Sequence, residues 1–224
     1  MTTKSQESYA KHVSATRYWL LGRNYVNAAK AFEFARKHHT GLRKDGVSPE
    51  FSHQIFIAGY ARTLVPGLMR PEDTLAAIFL HDVCEDYPVS FDDVERMFGR
   101  DVRVPVELLT KKKDGVRIPD EEYYARMARD PVASIAKAID RAHNIFTMSE
   151  ANWSLDKQER YLSHDVSFLV LPMLKEARRL FPEQEMAYEN VKTLLLVQAK
   201  HIQLNLNAAR ASAPADDQPS PAMQ

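Results

Sequence analysis

The sequence predicts an all-helical protein, a single-domain helical bundle, and three observations carry that expectation. Only seven glycines occur in 224 residues, too few for the many tight turns of a sandwich or barrel. Apolar residues recur at three- and four-residue spacing instead of alternating. The runs between turn signals are long and show no strand-and-helix alternation. At 45% hydrophobic composition, the chain can bury one substantial core.

Residues 1–24 are expected to form a polar N-terminal segment ahead of a domain spanning 25–206. The first helix is expected from Tyr25 to Lys37, where Ala28, Ala29, Phe32 and Ala35 repeat at helical spacing and Thr40-Gly41 stops the run. Leu42 to Pro49 reads as a polar loop, and Phe51 to Leu64 as a helix ended by Pro66-Gly67. Pro71 opens a helix whose run Leu75 to Leu80 is apolar all round, as suits the middle of a bundle. Ser90 and Asp93 resemble a capping box for a short helix closed by Gly99, and Lys111 to Pro119 reads as a basic, mobile loop. Asp130-Pro131 caps a helix running to about Ser149. Two more are expected over Leu155 to Leu180, with a kink at Pro172, and over Pro182 to Leu206. The Ala-, Ser-, Pro- and Asp-rich residues 207–224 predict a disordered tail.

Thirty Lys and Arg balance thirty Asp and Glu, which excludes the global positive field of a nucleic-acid binder, so any anionic ligand must be held by local charge. The lone Cys84 excludes an internal disulfide and reads as a small buried hydrophobe. The polar first ten residues lack a signal-peptide core, and no apolar stretch is long enough for a membrane span. A cytoplasmic location is the expectation.

Chemistry concentrates in two places. His81-Asp82 follows six apolar residues, and a carboxylate at the end of a buried helix costs several kcal/mol unless it is paired or ligates a cation. Glu85 and Asp86 add two more acids nearby, so a divalent cation near His81 and Asp82 would relieve the repulsion and leave Glu85 or Asp86 to handle protons. The second place is the helix from Asp130, where Asp140, Asn144 and Thr147 share one flank of an apolar stripe, an arrangement suited to a ligand and substrate contacts. Pairing of Asp140 with Lys137 or Arg141 is the competing explanation. His53, among Phe51, Ile55 and Phe56, is on its own more often a packing residue, and His143 suits a bracing role behind the site. His12, His38, His39, His164 and His201 read as surface or packing residues.

The order His53, His81-Asp82, Asp140 resembles the H…HD…D pattern of the HD phosphohydrolase superfamily. The segments LHDVCEDYPVSFDDVERMFG, LLTKK and AIDRAHNIFT resemble, more narrowly, the hydrolase domain of RelA/SpoT homologues and the small stand-alone alarmone hydrolases. The resemblance covers about residues 28–149. It implies an HD-type helical bundle in which His53, His81, Asp82 and Asp140 hold manganese or another divalent cation. It also implies Glu85 and Asp86 as catalytic acids, Arg43 and Lys44 in the nucleotide-binding loop, and Asn144 and Thr147 facing the nucleotide. The implied activity, tied to the stringent response, is removal of pyrophosphate from the 3′ position of (p)ppGpp. Lys111, Lys112, Lys113, Arg117 and Lys137 are candidates to offset substrate charge.

Two positions depart from the family pattern: Gln54 stands in place of a proline, and Phe146 in place of an arginine. A phenyl ring at 146 either stacks on a purine, which would admit (p)ppApp beside (p)ppGpp, or turns into the core. The alternatives are another HD nucleotidase or deoxynucleoside triphosphohydrolase, disfavoured by Glu85-Asp86 and Arg43-Lys44, and a metal-free HD binding module, disfavoured by the four retained ligands. A cyclic-dinucleotide phosphodiesterase would need a Gly-Tyr-Pro motif after the His-Asp pair. No synthetase domain fits in the remaining residues of this sequence, so degradation alone is the expectation. A homo-oligomer and a functional pairing with an alarmone-synthesising toxin are both compatible with the sequence.

Overall fold

Helix α4 (Pro71–Leu80) forms the axis of the fold: every residue from Thr74 to Leu80 is inaccessible to solvent. Its start is fixed by Pro71 at the first turn, by Glu72 and Asp73 against the positive end of the helix dipole, and by Thr74 Oγ1 donating to the Arg70 carbonyl. Glu72 also reaches α2 (Val26–His38), where its Oε1 accepts from the backbone amides of Asn27 and Ala28 at 2.6 and 3.4 Å. A side chain of α4 therefore supplies the cap that the start of α2 lacks.

The computed structural model describes residues 3–43, 45–149, 151 and 153–212. Packed around α4 are α2, α3 (Ser52–Leu64), α7 (Arg100–Leu109) and α9 (Pro131–Thr147). The short α5 (Val83–Asp86) and α6 (Phe91–Phe98) link α4 to α7. Ser90 and Asp93 form the expected capping box on α6, and Gly99 closes it with a positive φ of 84°. At the head of α9, Asp130 accepts from the Val132 and Ala133 amides at 2.9 and 2.7 Å. α8 (Asp120–Met127), α10 (Leu155–Arg160), α11 (Leu171–Leu180) and α12 (Glu185–Ala211) complete the bundle, with α12 lying along α9. The fold is all-α, as expected, with one contiguous core. Among the described residues, no helix is long and apolar enough to cross a membrane.

Several elements differ from expectation. Residues Thr3–Gly22 form α1, which packs against α2 and α3. Among its described side chains the buried ones are Val13, Thr16 and Leu20, a stripe too sparse to stand out as periodicity. Lys111 to Pro119 is not a plain loop: β1 (Lys112–Lys113) and β2 (Val116–Arg117) pair antiparallel across Asp114-Gly115, both with positive φ, the turn chemistry of a tight hairpin. The kink expected at Pro172 is a change of winding, a π-helical stretch over Tyr161–Val170 that passes into α11. α12 runs five residues past Leu206 to Ala211. The expected tail beyond 212 lies outside the described residues, as does Lys44.

Candidate metal centre and its cavity

The break between α4 and α5 is where chemistry begins. His81 sits at the C-terminal end of α4, and its Nδ1–H donates to the Ile78 carbonyl at 2.8 Å, which leaves Nε2 as the atom that can take a proton or a cation. On α3, His53 Nδ1 lies 2.8 Å from His143 Nδ1 of α9, so its Nε2 likewise faces the opposite way, toward His81. The two Nε2 atoms stand 3.3 Å apart. Asp82 Oδ2 is 2.9 Å from His81 Nε2. Asp140 Oδ1 is 3.2 Å from His53 Nε2 and 4.0 Å from His81 Nε2. His53, His81 and Asp82 each offer a ligand atom within 4.8 Å of the other two.

This donor set fits a divalent cation. Two imidazole lone pairs aimed at each other, with two carboxylates beside them, repel unless positive charge lies among them. The protonation behaviour says the same. Burial works against charge on His81, yet Asp82 and then Asp140 outweigh it and push the ring up to about 9. Burial also opposes charge on Asp82, but His81 holds that carboxyl well below its ordinary value. Asp140 serves two partners: one oxygen faces the histidines, and the other pairs with Lys137 Nζ at 3.0 Å, both side chains being buried. Asn144 Nδ2 steadies it, donating to Oδ1 at 3.3 Å. Pairing with Lys137 therefore leaves the other Asp140 oxygen facing the histidines.

A cavity of about 610 Å³ opens above the cluster, lined by His53 and Asp82 at its floor and by Arg43, Asp86, Asn144 and Thr147 on its walls. Glu85 is placed apart from these. Its Oε2 accepts from the Lys111 amide at 2.9 Å and the Lys112 amide at 3.4 Å, tying α5 to the hairpin. Asp86 faces the cavity, where burial and then the Asp82, Glu85 and Glu50 carboxylates push its carboxyl up to about 6. The hairpin cations are also engaged: Lys111 pairs with Asp120 at 2.7 Å, and Lys113 donates to the Cys84 and Val89 carbonyls. Cys84 is fully buried, and burial pushes its thiol up to about 11.

Two residues of the cavity wall were not legible in the sequence. His39 is buried beneath the cavity, with Gln54 Nε2 3.3 Å from its Nε2 and Tyr87 Oη 3.2 Å from its Nδ1. Glu50 accepts from Tyr87 Oη at 3.0 Å and from the Gly41 amide at 3.2 Å. Together they lock the loop carrying Arg43 onto α5. Their only sequence signal is the closeness of Glu50 to His53, because their partners lie far along the chain.

The fold and this centre define a helical protein built to hold a divalent metal beneath a ligand cavity, and comparison with known proteins agrees. The model of the HD domain family matches residues 31–166, more than half of the chain, and the chain belongs to that family. It is 32% identical over 139 residues to the probable guanosine-3′,5′-bis(diphosphate) 3′-pyrophosphohydrolase of Synechocystis, covering 58% of this chain and 18% of that protein. A Spiroplasma citri guanosine-3′,5′-bis(diphosphate) 3′-pyrophosphohydrolase is 32% identical over 127 residues, which cover 53% of this chain and 16% of that protein. The chain thus spans less than a fifth of these two relatives. The Drosophila melanogaster guanosine-3′,5′-bis(diphosphate) 3′-pyrophosphohydrolase MESH1 is 29% identical over 133 residues, 57% of this chain and 73% of that protein. A solved chain described as a metazoan ortholog of SpoT that hydrolyzes ppGpp shares the fold at a TM-score of 0.55 and 22% identity, covering 74% of this chain and 93% of its own.

Proposed function

We propose that this protein hydrolyses the 3′-pyrophosphate of guanosine tetra- and pentaphosphate, with His53, His81, Asp82 and Asp140 holding manganese. The observation that carries the proposal is the cluster of two imidazole Nε2 atoms 3.3 Å apart with Asp82 and Asp140 against them, at the floor of a cavity whose walls carry Arg43 and Asp86. Relatives of similar sequence bear this activity in their names. Manganese accepts mixed imidazole and carboxylate donors, and bound there it would supply Lewis-acid polarisation of a phosphoryl oxygen and favour deprotonation of water near neutral pH.

The chain's own residues do the rest. Arg43 offers a guanidinium to the substrate phosphates, while Asn144 and Thr147 offer amide and hydroxyl groups to the nucleotide from one face of α9. Asp86 accepts a proton from the attacking water and returns one to the ribose 3′ oxygen as its bond to phosphorus breaks. Water is added across that bond, so the tetraphosphate yields guanosine 5′-diphosphate and pyrophosphate. Glu85 holds α5 against the hairpin so that Asp86 faces the cavity.

The test is a panel of 3′-pyrophosphorylated nucleotides, deoxynucleoside triphosphates and nucleoside monophosphates incubated with manganese and resolved by chromatography. Pyrophosphate and the 5′-diphosphate from guanosine tetraphosphate are expected. Release of triphosphate from deoxynucleotides, or of orthophosphate from monophosphates, with the tetraphosphate untouched, would replace the proposal by another HD activity. No turnover of any member would leave a binding module.

A further inference from the structure

The two helices that supply His53 and His143 also carry a matched aromatic pair. Phe56 lies three residues after His53 on α3, and Phe146 three after His143 on α9, so each histidine and its phenylalanine share a helix face. The rings meet as the histidines do. Phe56 and Phe146 stack with centroids 5.3 Å apart and planes 20° from parallel, and Phe56 rests in turn on His143 at 4.4 Å. The result is a ladder of three rings climbing from the metal cluster to the wall of the cavity, with both phenylalanines lining it.

Phe56 and Phe146 are 47% and 56% exposed, whereas Ile145, between the helix faces, is 1% exposed. The same helix turn thus buries one apolar side chain and leaves a larger one facing the cavity, so Phe146 does not turn into the core. A single exposed phenylalanine is ordinary. Two held parallel on the wall of a polar cavity, beside Arg43, Asn144 and Thr147, form a flat apolar surface against which a ring can lie.

We infer that Phe146, held by Phe56 and His143, is the platform on which the base of the nucleotide stacks, and that the site therefore accepts adenine as well as guanine. This rests on the nucleotide-hydrolase reading above and names its base subsite. Every base has a π face, so stacking on a phenyl ring is tolerant of base identity. An edge-reading group is not: guanine presents two acceptors, O6 and N7, to a guanidinium, whereas adenine presents N7 and a donor. A phenyl ring offers no such discrimination.

Equilibrium binding to the metal-loaded full chain tests this, with guanosine and adenosine 3′,5′-bisphosphate as probes and ribose 5-phosphate as the base-free control. The wild type is expected to bind both bisphosphates with affinities of the same order. Phe146→Ala and Phe146→Leu should each weaken both by roughly 5- to 100-fold, and Phe146→Trp should retain them. Neither Ala nor Leu should move the base-free control, and Phe146→Arg should restore a preference for guanine. The inference is overturned if Phe146→Ala leaves purine affinity unchanged, if the wild type favours guanine by more than about tenfold, or if the bisphosphates bind no better than the control. Cleavage of the 3′-pyrophosphate, measured separately, keeps the two proposals apart. Turnover insensitive to position 146 sinks only the platform, and purine-dependent binding without turnover sinks only the hydrolase.

Discussion

The Nδ1 atoms of His53 and His143 lie 2.8 Å apart, and only one of them can carry the shared proton. A histidine that ligates through Nε2 keeps its proton on Nδ1, so His53 is the donor and His143 the acceptor, which requires a neutral His143 ring. Burial, followed by the charge of His53, supplies that condition by pushing His143 down to about 3. On the proposed ligand set, His143 would orient His53 through this hydrogen bond. His143→Phe, which removes the acceptor, is expected to weaken metal affinity by about 10- to 100-fold while leaving the bundle folded. Metal titration read against circular dichroism checks this, and unchanged affinity would show that His53 needs no partner.

Asp140 is expected to matter twice over. Asp140→Asn keeps the shape but removes the charge that faces both the histidines and Lys137. Metal retention should be lost, and the buried, unpaired ammonium should cost about 3–5 kcal/mol of stability. Adding Lys137→Met should recover much of the stability and none of the metal. Denaturation midpoints and metal content of the three proteins measure the two effects separately. Wild-type metal content in Asp140→Asn would remove it from the ligand set.

Much of this was legible in the sequence because it is local. The apolar run before His81-Asp82 marks the buried axis, Asp130-Pro131 marks the start of α9, and Ser90 with Asp93 marks a cap that forms as expected. Asp114-Gly115 between Lys112-Lys113 and Val116-Arg117 was a hairpin signal outweighed by the charge around it. α1 hid because, among its described side chains, it buries three well-spaced ones, and α7 because Pro105 lies inside it. In the site, the His-Asp pair announced itself through the cost of burying charge. The roles of Glu85, Glu50 and His39 depend on partners 26, 37 and 48 residues away, and no spacing rule reaches that far.

The acidic pair of α5 is expected to divide its work unevenly. Asp86→Asn removes the carboxylate on the cavity wall and should lower kcat by about 10²- to 10⁴-fold with the metal retained. Glu85→Gln keeps an oxygen to accept from the Lys111 amide and loses only the charge assistance, so a fall within about tenfold is expected. Faster amide exchange at Lys111 and Lys112 in the Glu85 variant would report the loosened hairpin. Equal losses in the two variants would return Glu85 to the chemistry.

The last prediction concerns pH and the metal-free protein. His81 is the group to follow, since burial alone would lower it, yet Asp82 and Asp140 push it up to about 9 from an ordinary 6.5. A group whose folded value exceeds its unfolded one stabilises the fold fully below the unfolded value and ceases to do so as pH rises through the folded value. Stability from His81 is therefore complete below pH 6.5 and lost between 6.5 and about 9. His39, His53 and His143 are all shifted downward, so their effect falls below 6.5 and leaves this window to His81. Chelated protein should thus melt at progressively lower temperature from pH 6.5 to 9, by an amount of order 3 kcal/mol over the whole range. Saturating manganese should abolish the decline, because the cation competes with the proton for Nε2 and binds better as pH rises. His81→Gln should flatten the metal-free profile at a lower overall stability. A decline of the same size in that variant would assign the titration to another group.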